Sequence, residues 1–308
     1  MLADVSPKLS QVTVVLVTHN SRHCLPAQQP LLDACPHVIV VDNASEDDTV
    51  ERARGLWPHA QVLALPRNLG FGAANNRALQ RVQTEWALLL NPDCTLEAAC
   101  LERLLHWSQV WPEAAVLAPQ LVDARGRPQV NYRWAPLSWP GRGGPAEGPV
   151  CVGFACGAAL LLRRSAVPQP LFDERFFLYY EDDDLCLRLF QRRLPIIVVP
   201  DCRAQHRSRG SVRTRWPWRA EMRRGYHHVQ SKLTFTAKHR GLAAARRGRR
   251  RLLLATVLSL PLRLLLLHPK GMARAWGRLR GLWQWQPHDD LLHPNRSAHL
   301  VRGRADPQ

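Results

Sequence analysis

The sequence lacks several patterns that would assign it to common protein classes. Its eight cysteines form no CxxC pair, so neither a zinc site nor a disulfide framework is indicated, and we expect free thiols in a reducing compartment. The N-terminal stretch "MLADVSPKLSQV" does not join a basic segment to an apolar one, as a secretion signal would. A bilayer span needs about 20 consecutive apolar residues. Because no such run occurs, we expect no membrane-spanning helix.

Acidic residues are scarce in the last third of the chain. Residues 1–200 contain 18 Lys and Arg against 20 Asp and Glu, whereas residues 201–308 contain 24 against 5. The formal net charge of +17 therefore arises in one region, and we expect a nearly neutral domain followed by a basic one. The 308 residues are enough for one large domain or two smaller ones. We place the predicted boundary between residues 240 and 241.

Short apolar runs recur about every 24 residues in the first domain. They lie at 12–17, 37–42, 60–65 and 86–90, and the segments between them, such as 45–56 and 72–82, fit helices. Runs rich in Val and Leu that alternate with helices are typical of βαβ units, whose strands are buried on both faces. The sequence therefore predicts an α/β fold with a mostly parallel sheet.

A polar cluster follows each predicted strand, at 18–21, 42–48, 67–72 and 91–93. Loops at the carboxyl ends of strands in an open α/β sheet share one crevice where ligands bind. Short donors and acceptors in these loops suit a ribose or a base edge, and the helix start after Gly70 favours phosphate. A dinucleotide fold would place GxGxxG after the first strand, where this chain has "THNS". The later "GFGAAN" equally fits a tight turn from strand to helix.

Four consecutive acids lie within "FFLYYEDDDLCLRLF", residues 176–190. Carboxylates near a helix N-terminus complement the helix dipole, so they are expected to open a helix. An active-site role is the alternative, and the segment alone does not decide between the two.

A set of ordered motifs resembles family 2 glycosyltransferases, especially their rhamnosyltransferase-like branch. The motifs span roughly residues 10 to 215 and read "VVLVTHNS", "VVDNASEDDT", "RNLGFGAANNRAL", "LLLNPDC", "GFACGAALLLRRSA", "FDERFFLYYEDDDLCLRL" and "AQHRSRGS". The resemblance implies a glycosyltransferase A-type fold, Rossmann-like with a mostly parallel central sheet. It also implies a nucleotide-sugar donor, a divalent cation (Mg²⁺ or Mn²⁺) and inversion at the anomeric carbon. Residues 1–240 would form the catalytic, nucleotide-sugar-binding domain.

The resemblance also assigns roles to individual residues. The predicted nucleotide-sugar-binding set is Thr18, Asn20, Asp42, Asn43, Asn68, Gly70, Asn75 and Asp93. Asp93 closes "NPD", where many relatives have DxD, and Asp93 with His206 forms the predicted metal site. Asp182 is the predicted general base, with Glu181 as its alternative and Asp184 as a further candidate. Asp183 stands where relatives commonly carry an apolar residue, and the sequence offers no role for it.

The C-terminal region, 241–308, joins a cationic cluster to an apolar run at 252–267. It predicts a basic, mainly helical extension whose helix rests in the plane of an anionic membrane surface. Trp276, Trp283 and Trp285 are its predicted interfacial anchors. An ordinary core helix with a solvated Arg face is the alternative.

The resemblance therefore implies a hexosyltransferase of cell-envelope polysaccharide synthesis. It would move a sugar, for which the branch suggests rhamnose, to a glycan or polyprenyl-diphosphate-linked acceptor, in the cytoplasm at the inner face of the plasma membrane. A nucleotidylyltransferase acting on a sugar 1-phosphate is one alternative, although its glycine- and arginine-rich first loop is missing. A nucleic-acid-binding protein is another, but no recognised motif accompanies the Arg-rich region, so no nucleic acid is expected.

Overall fold

A computed structural model describes residues 9–133, 144–208, 210–211, 216–266 and 269–287. The chain divides into two compact units. The first comprises Met1–Glu174 and Glu181–Arg213, and the second comprises Arg175–Tyr180 and Thr214–Gln308.

The first unit is an α/β domain, as predicted. Its helices are α1 (Leu25–Ala34), α2 (Thr49–Leu56), α3 (Phe71–Leu79), α4 (Ala98–Val110) and α5 (Glu181–Gln191). Its strands are β1 (Val12–Thr18), β2 (His37–Asp42), β3 (Gln61–Ala64), β4 (Trp86–Leu90), β5 (Cys94–Leu96), β6 (Val116–Val122), β7 (Tyr132–Arg133), β8 (Val150–Val152), β9 (Phe154–Ala155), β10 (Ala159–Arg163) and β11 (Ile196–His206). The four strands expected from the apolar rhythm are β1 to β4.

The main sheet has the strand order β3-β2-β1-β4-β10-β6-β11-β5, with β8 pairing to β11. The strands β3, β2, β1 and β4 are parallel, which confirms the βαβ prediction. Strand β10 then runs antiparallel between β4 and β6. Its register sets Ala159 opposite Leu90, and the segment before β10 therefore meets the "NPD" loop that follows β4.

Both faces of this sheet are buried, which explains the uninterrupted apolar runs. In β1, Val14 and Leu16 contribute to one core and Val15 and Val17 to the other, because successive side chains of a strand point to opposite faces. None of the eight cysteines, all of which lie in the described residues, forms a disulfide.

The second unit contains three long helices, α6 (Pro217–Arg240), α7 (Leu242–Leu265) and α8 (Pro269–Gln284). The mainly helical C-terminal extension is thus confirmed. Helices α6 and α8 approach closely at glycines, and a Cβ on Gly277 would overlap the backbone of Met222. Helix α6 packs on α8, and both belong to the second unit. Among the helices of the described residues, none is both long and apolar enough to cross a bilayer.

The expectation that Trp285 anchors a membrane interface is wrong. Trp285 is 3% exposed and belongs to the core of the second unit with Val229, Leu233 and Leu282. Its Nε1 donates a hydrogen bond to Thr234 Oγ1 at 3.3 Å. Its position on the inner face of the helical unit satisfies both its apolar body and its polar N–H.

Candidate active site

Asp42 lies at the end of β2 and is held by donors from the end of β1 and from the loop after β2. Thr18 Oγ1 donates to its Oδ1 at 3.1 Å, and Ser45 donates to it through both Oγ (2.5 Å) and the backbone N (2.8 Å). The Asp42 side chain is buried. The carboxylate therefore fixes the loop after β2 against the end of β1.

Two asparagines connect adjacent loops of the crevice. Asn20 has a φ of 52°, a left-handed conformation that Asn tolerates better than most residues, and its Oδ1 accepts a hydrogen bond from Glu46 N at 2.8 Å. Asn43 Oδ1 accepts from Leu69 N at 2.8 Å, and its Nδ2 donates to Gly70 O at 3.1 Å. The loops after β1, β2 and β3 are therefore joined into one rim.

The third loop is shaped for a tight entry into α3. Gly70 has a φ of 90°, which L side chains rarely adopt, and its N donates to Asn68 Oδ1 at 2.9 Å. Asn75 is buried one turn into α3 and donates from Nδ2 to Phe71 O at 2.9 Å. The structure thus places Asn68, Gly70 and Asn75 together and shows a local bracing contact for each.

Three buried polar atoms near the strand ends have no hydrogen-bond partner among the described residues. They are His19 Nδ1, Asn91 Oδ1 and Glu181 Oε2. His19 follows β1, Asn91 follows β4, and Glu181 begins α5. Buried polar atoms are nearly always paired with protein, water or a ligand. His19 and Asn91 were not among the predicted contacts, although both lie in the polar clusters that follow the strands.

Asp93 and His206 face each other in a buried position. Asp93 Oδ1 lies 3.7 Å from His206 Nε2, with side-chain exposures of 4% and 11%. Asp93 Oδ2 accepts hydrogen bonds from Gly210 N (2.9 Å) and Ser211 N (3.0 Å). Ser208 Oγ lies 3.3 Å from the other ring nitrogen, Nδ1. One carboxylate oxygen thus organises the backbone, while the other is directed at the imidazole.

The imidazole of His206 suits a ligand role because burial lowers its pKa, an effect that the Asp93 charge opposes. Across the part of the chain that the structure describes, no three His, Cys, Asp or Glu side chains cluster closely enough to hold a metal ion by themselves. A cation such as Mg²⁺ typically takes one or two carboxylates and completes its shell with phosphate oxygens and water. Asp93 and His206 therefore fit a cation whose remaining ligands come from a bound diphosphate.

Asp182 is anchored at the first turn of α5. Its Oδ2 accepts a hydrogen bond from Gly157 N at 3.3 Å, and its Oδ1 accepts one from Asp183 N at 3.0 Å. A Cβ on Gly157 would lie 3.5 Å from Asp182 Cβ, so the two backbones approach closely. Burial, and next the charge of Asp183, raise the pKa of Asp182 to about 6, while the two backbone N–H groups oppose that shift.

The flanking acids have different environments. Burial and the charge of Asp182 raise the pKa of Glu181 well above its usual range. Asp184 is fully buried and pairs with Arg188 at 2.8 Å. The prediction that the acids open a helix is confirmed, since α5 begins at Glu181.

Asp183 pairs with a residue that the sequence analysis did not single out. Arg133 Nη2 donates to Asp183 Oδ1 at 2.5 Å, and the Arg133 guanidinium lies over the Phe154 ring, 3.7 Å from its centroid. Arg133 belongs to strand β7, beside a Pro- and Gly-rich stretch of which residues 134–143 lie outside the described residues. No local pattern marked it.

The segment before β10 links Asp93 and Asp182. Asn91 N donates to Ala158 O at 2.9 Å, which holds the "NPD" loop beside that segment. Cys156 has its pKa raised to about 12, first by burial and then by the charges of Asp182, Glu181 and Asp93. Both acids therefore act on one side chain at the same end of the sheet.

Comparison with known proteins agrees with this geometry. Residues 13–169 match the sequence profile described as Glycosyl transferase family 2. The N-acetylglucosaminyl-diphospho-decaprenol L-rhamnosyltransferase of Mycobacterium tuberculosis is 30% identical in an alignment of 203 positions that covers 55% of this chain and 66% of that protein. The pre-mycofactocin glycosyltransferase of the same organism is 30% identical over 218 residues, covering 67% of this chain and 45% of the other. The chain thus spans slightly under two thirds of the first relative and under half of the second.

Two solved structures share the fold at low sequence identity. One is a mannosyltransferase from Pyrobaculum calidifontis in complex with GDP-Man and Mn²⁺, with a TM-score of 0.52 and 16% identity, covering 95% of this chain and 90% of that one. The other is GalNAc-T7 with UDP, GalNAc and Mn²⁺, with a TM-score of 0.50 and 16% identity over 63% of this chain and 42% of that one. The expected glycosyltransferase A-type architecture is confirmed.

Proposed function

The chain belongs to glycosyltransferase family 2, and from this premise we propose that it transfers a sugar from a nucleoside-diphosphate donor to an acceptor hydroxyl with inversion. The observation that carries the proposal is Asp182, a carboxylate fixed by Gly157 N and Asp183 N. It lies at the same sheet end as Asp93. A base opposite a diphosphate-binding loop is the arrangement that inverting transfer requires.

Asp182 is the proposed general base. Inversion requires the acceptor hydroxyl to lose its proton as it attacks from the face opposite the leaving diphosphate. A base works best when its pKa lies near the working pH, and the Asp182 pKa of about 6 keeps the carboxylate largely ionised at neutral pH. The side chain also retains partial exposure, which an acceptor needs in order to reach it.

Glu181 is the weaker candidate for the base. Its raised pKa favours the protonated form, and a protonated carboxyl cannot accept the hydroxyl proton. The Glu181 side chain is also more deeply enclosed than that of Asp182. Its unpartnered Oε2 suits a hydrogen bond to a bound sugar or water instead.

Asp93 and His206 are the proposed cation ligands. Asp93 Oδ1 faces His206 Nε2, and Asn91 Oδ1 in the same loop has no hydrogen-bond partner among the described residues. Both observations support a cation site whose remaining ligands come from the donor diphosphate. A cation there would neutralise the charge that develops on the leaving group. The backbone contacts of Asp93 Oδ2 with Gly210 and Ser211 hold the carboxylate in place for this role.

The rim formed by the first three loops is the proposed site of the nucleoside. The side chains of Thr18, Asn20, Asp42, Asn43, Asn68 and Asn75 brace this rim, and Gly70 permits the turn into α3. We infer that the base and ribose lie against this rim, where His19 Nδ1 offers a polar contact. The start of α3 beyond Gly70 would favour the phosphates.

The rhamnosyltransferase relative supports rhamnose as the donor sugar and a polyprenyl-diphosphate-linked glycan as the acceptor, in cell-envelope polysaccharide synthesis. The test is a panel of nucleoside-diphosphate sugars, including dTDP-rhamnose, assayed with Mg²⁺, with Mn²⁺ and with EDTA. We expect acceptor-dependent release of a nucleoside diphosphate. Release of pyrophosphate from a nucleoside triphosphate and a sugar 1-phosphate would instead identify a nucleotidylyltransferase and overturn the proposal.

A further inference from the structure

One face of α7 packs within the helical unit. Ala245 and Thr256 are buried. Arg249 Nη2 donates to Trp283 O at 3.1 Å, and Arg263 Nη1 donates to Gly271 O at 3.3 Å. These four α7 residues recur at helical spacing, and they define the face of α7 that is directed at α8.

The opposite face of α7 is exposed and divided along the helix axis. Its first half carries Arg246, Arg247, Arg250 and Arg251, all exposed, and is called the Arg half. Its second half carries Leu254, Leu258, Leu262 and Leu265, which are 62%, 68%, 59% and 79% exposed, and is called the Leu half. The helix therefore presents a cationic segment followed by an apolar one on the same outward face.

The Leu half is an apolar patch whose exposure to water is unfavourable. Single exposed leucines are ordinary, but a contiguous apolar patch beside polar residues marks a binding surface. The surrounding sequence determines what this surface can bind, because no Asp or Glu occurs between Glu221 and Asp289. An anionic partner therefore meets no acidic residue of this segment.

We propose that the outward face of α7 binds the surface of an anionic lipid bilayer. The Arg half would pair with lipid phosphates, and the Leu half would enter the boundary between headgroups and acyl chains, to a depth of about 5–10 Å as in other interfacial helices. A bilayer surface satisfies both halves at once, because it presents anionic headgroups above an apolar layer. The bound helix lies near the membrane plane, with its Leu half the deeper end.

Other partners satisfy only one half of this face. Nucleic acid would pair with the Arg half and leave the Leu half in water. In a second copy of the chain, parallel pairing of the α7 helices would bring Arg halves together, and antiparallel pairing would set each Arg half against a Leu half. Neither arrangement matches charge with opposite charge.

The test is flotation of the full chain with vesicles, without donor or acceptor, so its result is independent of the transfer reaction. The vesicles are phosphatidylcholine alone or with about 30% phosphatidylserine, because anionic lipid attracts basic segments by about 1 kcal/mol per Lys or Arg. We expect the full chain to float with the anionic vesicles. Replacing the four arginines of the Arg half by Gln is expected to weaken that partitioning on the order of 1,000-fold.

Two further variants test the apolar contribution of the Leu half and the effect of the overall net charge separately. Replacing the four leucines of the Leu half by Ser leaves the charge unchanged and is expected to weaken flotation with the anionic vesicles, because the apolar contact is lost. The matched charge control replaces four exposed arginines of the first unit by Gln, namely Arg54, Arg81, Arg125 and Arg192. We expect it to float nearly as the unmodified chain does. Circular dichroism checks that each variant keeps its helices.

Several outcomes would overturn the proposal. Absence of flotation for the full chain is one, and equal flotation of the Leu-half variant is another. An equal loss in the two arginine variants would point to net charge rather than to α7. If the full chain does not float, and light scattering shows a dimer that the Leu-half substitutions dissociate, the face binds a second copy of the chain. RNA or DNA binding that depends on the Arg half, without flotation, would assign it to nucleic acid.

Discussion

Asp183 Oδ1 lies 2.5 Å from Arg133 Nη2, although 50 residues separate the two in the chain. Both side chains are largely enclosed, at 16% and 4% exposure, and the pair adjoins the proposed base, Asp182. The charge of Asp183 raises the pKa of Asp182, whereas that of Arg133 lowers it. Burial is the first cause of the raised Asp182 pKa, and the two charges of the ion pair adjust it in opposite directions. We therefore propose that Asp183 helps to tune the proton affinity of Asp182.

Replacing Asp183 by Asn is expected to move the acid limb of the pH profile of kcat/KM to lower pH. The base acts in its ionised form, so activity falls as the pH drops below its pKa, which is about 6 in the unmodified chain. Loss of the Asp183 charge removes a cause of the raised pKa and leaves Arg133 uncompensated. Both effects favour ionised Asp182. The measurement is initial rate against pH at low substrate.

Replacing Arg133 by Gln is the matched variant, for which we expect a pH shift in the opposite direction. Asp183 then keeps its charge without a cationic partner, and the acid limb is expected to move to higher pH. A partly buried charge left unpaired also costs stability, on the order of 3–5 kcal/mol for a fully buried pair, so thermal unfolding is measured alongside. If both variants shift the limb in the same direction, the pair does not control Asp182.

Replacing Asp182 by Asn is expected to lower kcat by about 10²–10⁴-fold, the usual contribution of a general base. Donor affinity is expected to change little, because the change is nearly isosteric and Asp182 is not one of the proposed nucleotide-sugar contacts. Calorimetry measures donor binding and nucleoside diphosphate release measures turnover. Asp123→Asn, in an exposed turn where Asp123 pairs with Arg127, is the control. Near-normal turnover of the Asp182 variant would remove it from the role of base.

Replacing His206 by Ala is expected to weaken Mn²⁺ binding in the presence of nucleoside diphosphate by about tenfold or more. The imidazole faces Asp93 Oδ1, and a nitrogen ligand favours Mn²⁺ over Mg²⁺. The preference for Mn²⁺ is therefore expected to narrow as well. Electron paramagnetic resonance of Mn²⁺ measures the binding without turnover. His59→Ala is the control, because His59 contacts Leu32 O in a different part of the fold, and unchanged Mn²⁺ affinity in the His206 variant would exclude it as a ligand.

Replacing Gly72 by Ala is expected to destabilise the first unit by about 1–3 kcal/mol, the typical cost of overpacking. A Cβ at Gly72 would lie 2.8 Å from Phe172 Cβ, so the backbone that carries one of them must shift. Gly55 in α2 is the matched control, since a Cβ there meets nothing within 4 Å. Gly55→Ala is expected to stabilise by up to about 1 kcal/mol through helix propensity. Denaturant unfolding compares the two variants, and equal stabilities would contradict the packing argument.

Much of the first unit was determined by local sequence. The apolar runs of β1 to β4 predicted their own positions, because strands buried on both faces need apolar residues at consecutive positions. The polar clusters after these strands predicted a shared crevice for a geometric reason, since parallel strands end at the same edge. Four adjacent acids likewise predicted the start of α5.

Other features depended on residues that meet only in the folded chain. The partner of Asp183 lies on a two-residue strand, β7, with no periodic signal of its own. The elevated pKa of Glu181 arises from burial, which the surrounding packing decides. The sequence likewise did not distinguish Trp285 from Trp276 and Trp283, because which side of a helix is covered depends on the helices that pack against it.

The sequence of α7 shows basic residues followed by apolar ones, and by itself it determined a cationic, apolar region without a membrane span. Only tertiary packing decided which of its side chains are free to contact a surface. Arg249 and Arg263 turn inward to backbone oxygens of α8, while their neighbours remain exposed. Composition is set by the sequence, whereas the exposure of each side chain depends on the residues that pack around it. A binding surface requires both a suitable composition and exposure.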